Sequence, residues 1–97
     1  MSEVLVLFNS ETTNTSSSEF TLGAGGDKYV YVSGTMGGAT VQLEIKSPTS
    51  GNWIPVEGGD FTTELARLWS RVFDNTVVRA TISGGSGASI TVEITLN

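Results

Sequence analysis

Glu57, Asp60 and Glu64 are the carboxylates that lie closest together along the chain, and Asp74 follows them. A pair of carboxylates can hydrolyse a glycosidic bond, one as acid and the other as base or nucleophile. A loop that supplies several oxygens can hold Ca²⁺. Glu57-Gly-Gly-Asp60 matches no metal-loop spacing, and these acids read as solvated turn residues. The stretch "GAGGDK", residues 23–28, has the glycines of a phosphate cradle but not the spacing of a P-loop, and a strand follows it rather than a helix. Ser and Thr hydroxyls are plentiful, yet the chain has no His and no Cys to activate them, and no G-x-S-x-G motif. Lys28 and Lys46 have no serine partner in any recognisable arrangement. We therefore expect no enzyme, no metal and no cofactor.

The aromatic residues offer a different chemistry. Trp53, Trp69, Tyr29 and Tyr31 could together make a sugar-stacking platform, although in a small β-protein most such rings pack the core. Tyr29 and Tyr31 share one face of a strand whose other face carries Val30 and Val32. That places them either on the far side of a core or at a subunit interface. Trp53 directly follows a turn, where a ring is often half exposed.

Ninety-seven residues make one domain, 1–97. A chain of that size buries roughly 60–70% of its unfolded surface. Ten acids against five bases give a net charge of −5, which argues against nucleic acid and anionic membranes as partners and favours solubility. The opening "MSEVLVLFNS" lacks a basic segment, and its apolar run is too short for a signal peptide or a membrane span. Synthesis and retention in a cytoplasm are expected, unless a larger assembly carries the chain elsewhere.

Charged residues are only 15% of the chain, which is rich in Gly, Ser, Thr and β-branched residues, a balance that suits strands and tight turns. Val4, Leu5, Val6, Leu7 and Phe8 read as a strand covered on both faces or lying at a subunit contact. The polar segment 9–18 reads as a flexible Ser/Thr loop. Short strands follow at 19–22 and 28–33, and Thr40–Lys46 alternates most cleanly of all. Pro48 and Gly51 turn that strand into Trp53–Val56, where Pro55 marks an edge. Residues 58–75 are ambiguous. Leu65, Leu68, Trp69 and Val72 have helical spacing, compatible with a short helix near 62–72, while the surrounding pattern favours strand and irregular turn. Residues 76–83 and 89–96 alternate on either side of "GGSGA" and read as a closing antiparallel hairpin. The whole is all-β: a single antiparallel β-sandwich or small barrel with Gly-rich hairpins.

Residues 39–97 resemble small structural proteins of tailed-phage virions, chiefly head decoration (cement) and head-fibre proteins. The likeness rests on Ser47, Pro48, Gly51, Asn52 and Trp53, then Arg79, then Gly84, Gly85, Gly87, Ala88 and Ser89. It implies a non-enzymatic component of the virion, made in the host cytoplasm and bound in many copies to the outer head surface, which it stiffens. Its partners would be the major capsid protein or another virion protein, with further copies of itself, a trimer among the options. The alternative is a carbohydrate-binding or adhesive module of a head fibre or tail, with a glycan as ligand. The interface candidates are Val4, Leu5, Val6, Leu7, Phe8, Tyr29, Tyr31 and Trp53. Tethered by the 9–18 loop, Val4–Phe8 either adds to a neighbour's sheet or pairs within its own domain.

Overall fold

Alternation of β-branched and polar residues decides the strands, and a computed structural model describes them over residues 3–96. They are β1 (Val4–Glu11), β2 (Phe20–Leu22), β3 (Gly26–Thr35), β4 (Thr40–Lys46), β5 (Trp53–Phe61), β6 (Leu65–Val72), β7 (Thr76–Ser83) and β8 (Ser89–Thr95). Two four-stranded antiparallel sheets pack face to face. Sheet A has the order β1-β8-β3-β6 and sheet B the order β2-β7-β4-β5. Only β4 and β5 form a hairpin within one sheet, and every other connection crosses between the sheets. That order, with its single central hairpin, is a jelly roll.

The inward residues are those the alternation selects. Val41 and Leu43 of β4, Val78, Ala80 and Ile82 of β7, and Ile90, Val92 and Ile94 of β8 are buried. Each fully buried Val or Ile contributes about 1.5–3 kcal/mol relative to leaving it exposed. Leu7, Phe8, Phe61 and Val72 extend the same core toward the ends of the sandwich. On the side where β6 faces β5, Arg67 reaches across the gap between the sheets. Its Nη1 donates to the carbonyls of Gly58 and Asp60, and its guanidinium lies 4.8 Å from the Phe61 ring centroid.

Two open alternatives close, at residues 62–72 and at β1, and two expectations change. Residues 62–72 hold no helix, because residues 65–72 form β6 and pair with β3 from Leu65 to Val72. The helical spacing is coincidental: Leu68 lies opposite outward-facing Tyr29, and Trp69 opposite inward-facing Lys28. A helix there would leave the β3 edge unpaired. "GGSGA" is not a hairpin turn. β7 belongs to sheet B and β8 to sheet A, and the glycines carry the chain over the end of the sandwich. Alternation is the same for two strands side by side and for two strands facing across a core, so it does not separate these cases. Segment 9–18 is not a free tether. Residues 9–11 continue β1, and Thr15 and Ser17 lie along β7, with Ile82 N–H donating to the Thr15 carbonyl at 2.8 Å and Ser17 N–H to the Ala80 carbonyl at 2.8 Å. They cover the part of the β7 edge that short β2 leaves open. β1 pairs with β8 of its own chain, from Val4↔Thr95 to Glu11↔Ile90.

Two of the four edge strands, β1 and β5, carry irregularities that discourage edge-to-edge pairing. β1 carries irregularities between Val6 and Phe8 and between Phe8 and Glu11. β5, the edge strand of sheet B, carries Pro55 and an irregularity that loops out residues 56–59.

Candidate functional site

The two outer faces of the sandwich differ in chemistry, and the candidate site follows from that difference. On the outer face of sheet A, Val6, Glu93, Tyr31 and Ala66 form one row across all the strands. The adjacent row contains the pairs Val4–Thr95 and Tyr29–Leu68. Thr95 Oγ1 accepts a hydrogen bond of 2.8 Å from Tyr29 N–H, joining the two halves of that row. The Tyr29 and Tyr31 rings stack with centroids 6.2 Å apart and planes 25° from parallel. Val4 and Val6 are each 43% exposed, Tyr29 47%, Tyr31 39% and Leu68 50%. Glu93 is the one charge in these two rows. A flat surface made of two valines, two tyrosines and a leucine has the composition of a contact face.

Sheet B presents the opposite character. Its outer face is a satisfied polar network centred on Glu44. Glu44 Oε1 accepts from Arg79 Nε at 2.9 Å and from the Thr81 hydroxyl at 2.7 Å. The Arg79 guanidinium sits 4.3 Å above the Trp53 ring centroid, and the Lys46 ammonium lies 5.9 Å from it. Lys46 also pairs with Glu19 at 3.5 Å. Trp53 therefore has one face covered by a cation.

The expected interface residues are thus divided. Val4, Val6, Tyr29 and Tyr31 come together on one face. Leu7 and Phe8 are core residues, and Leu5 packs against that core. Trp53 lies on the other sheet. Trp69 faces inward and packs against the core, so the four aromatic residues do not make one sugar platform. Leu68 and Ala66 belong to the apolar face and were missed. Only the β3·β6 register brings them beside the tyrosines, and long-range pairing leaves no mark in the local pattern.

Two of the four candidate acids have structural partners. Glu64 Oε2 accepts from Gly34 N–H at 2.8 Å, and Asp74 Oδ1 from Gly25 N–H at 2.7 Å. Glu57 and Asp60 are exposed on β5. Among the described residues, no group of three or more acids converges as a metal site would require. Lys28 is buried on the inner face of sheet A, where its Nζ donates to the Leu96 carbonyl at 3.1 Å. The bonds of Glu64, Asp74 and Lys28 tie turns and strand ends of the sandwich together.

Comparison with family models, with curated proteins and with solved structures returned no match to this chain.

Proposed function

We propose that the chain is a non-enzymatic structural protein of a tailed-phage virion, a decoration protein that binds the outer surface of the head and stabilises the shell. The observation that carries this reading is the apolar outer face of sheet A. Its two rows carry one charge, Glu93, and it is opposed by a second face on which Glu44, Arg79 and Thr81 are paired with one another. One face docks on the major capsid protein or another virion protein, and the other faces water. The resemblance of residues 39–97 to decoration and head-fibre proteins points the same way. So, by analogy, does the jelly roll, an architecture used by capsid and lectin domains. Repeated copies on a symmetric shell, as trimers where the shell has threefold sites, would each use the same contact.

The alternative, a glycan-binding module of a head fibre or tail, draws on another part of the molecule, the loop end described below. The decoration reading is tested by quantitative mass spectrometry of purified particles of the phage that encodes the chain. Many copies per particle are expected, removable without emptying the head. Absence from the particle overturns the reading.

A further inference from the structure

We propose that the groove between the β4–β5 turn and the β6–β7 turn binds a saccharide ring. The groove measures about 490 Å³ and lies at one end of the sandwich, between residues 45–51 and 73–77. That volume is within the range of small-ligand sites, roughly 300–1,000 Å³.

Its prominent feature is Phe73, 83% exposed and the most exposed large apolar side chain among the described residues. The turn that presents it is tightly held. The Phe73 carbonyl accepts both the Thr76 hydroxyl, at 2.7 Å, and Thr76 N–H, at 3.3 Å. Asp74 Oδ1 takes Gly25 N–H at 2.7 Å, and Asn75 N–H donates to the Gly23 carbonyl at 3.3 Å. Gly25 permits that docking, since a Cβ there would clash with the Val72 carbonyl oxygen. The facing turn is fixed too, by Gly51 N–H to the Ser47 carbonyl at 2.9 Å and Ser50 N–H to Ser47 Oγ at 3.3 Å. The site is therefore preformed, and ordering it on binding costs little.

The chemistry selects the ligand. An aromatic face matches the C–H face of a pyranose, and the Asp74 carboxylate, the Asn75 amide and the Ser and Thr hydroxyls match its hydroxyl groups. A phosphate-bearing ligand fits poorly. Lys46 is the one cation lining the groove, it is engaged with Glu19, and Asp74 repels anions. This inference does not rest on the decoration reading and concerns a different surface.

The test is an NMR titration of the ¹⁵N-labelled full chain with the methyl glycosides of glucose, galactose, mannose and N-acetylglucosamine, each at millimolar concentration. At least one should give saturable shifts at residues 46–51 and 73–77, leaving Tyr29 and Tyr31 unmoved. Phe73→Ala, at a position outside the core, should keep a dispersed spectrum and weaken binding about tenfold. Asp74→Asn, which retains an acceptor for Gly25 N–H, should keep the turn and weaken binding as well. No saturable shift with any of the four glycosides, shifts confined to other surfaces, or unchanged binding by Phe73→Ala would each overturn the proposal.

Discussion

Glu11 illustrates how much a single exposed side chain is shaped by its neighbours. Its carboxylate accepts the Thr13 hydroxyl at 2.7 Å and the N–H groups of Thr13 and Thr12 at 3.2 Å. These bonds, the Thr13 hydroxyl foremost, favour the charged form and hold its pKa below the ordinary glutamate value. A carboxylate whose folded pKa is depressed stabilises the fold above its unfolded pKa, and that contribution fades as pH falls through the folded value. Thr13→Val should move the Glu11 midpoint up toward the ordinary value in an NMR titration of its side-chain carboxyl. An unmoved midpoint contradicts this assignment of the shift. Lys28 poses the opposite problem, a cation only 1% exposed whose ammonium donates, among the described residues, to one backbone carbonyl. Burying a charge with so little compensation is costly, and a buried charged group is often replaced by an apolar one of similar volume without loss. Lys28→Met is expected to leave stability unchanged or raise it in denaturant melts, whereas Lys28→Ala opens a cavity and loses about 2–5 kcal/mol. A Met variant that loses as much as the Ala variant would show that the ammonium itself is needed.

Elements are where reading the sequence succeeds and fails most visibly. β4 and β8 were legible because Val41-x-Leu43-x-Ile45 and Ile90-x-Val92-x-Ile94 leave no other period. The β4–β5 hairpin was legible too, since Pro48, Gly51 and Pro55 each have a specific backbone role in a turn or at an edge. What did not show was which strands share a sheet. β7 and β8 alternate as hairpin partners would, yet they belong to different sheets. β6 was blurred because Leu65 and Leu68 are exposed, so its apolar residues mark an outer surface as well as the core. β1 was read correctly as a strand, but its five apolar residues divide: Val4 and Val6 face out while Leu7 and Phe8 fill the core. A detachable arm would not bury its own side chains in its own domain. Deleting residues 1–10 should therefore abolish folding, giving an insoluble chain or one without a β-sheet circular dichroism spectrum. A soluble truncated chain with a dispersed NMR spectrum contradicts this.

At the scale of the whole molecule, the jelly roll separates two surfaces that any interpretation must treat differently. Inward positions of both sheets are used up by one core, so function is left to the outer faces and the loop ends. On sheet B the outer polar groups answer one another: Glu44 with Arg79 and Thr81, Arg79 with Trp53, Lys46 with Glu19. On sheet A the Tyr29 and Tyr31 rings stack on each other and, with Val4, Val6 and Leu68, stay exposed. The tyrosine half of that face could be read from the alternation of residues 28–33. Its Leu68 half depended on a pairing between positions far apart in sequence, which only the assembled sheet reveals.

The central claim is that this face is the docking surface. The most direct test of the proposed decoration role is co-sedimentation of the purified chain with protein-stripped heads of the phage that would encode it. The wild-type chain and a variant carrying Tyr31→Glu with Leu68→Glu would be compared. Both positions are exposed, so the variant should fold as the wild type does, and its circular dichroism melt checks that. The account predicts saturable binding by the wild-type chain and at least a tenfold weaker binding by the folded variant, because burying two unpaired carboxylates is strongly unfavourable. Equal binding by the two chains, or no binding by the wild type, would contradict it.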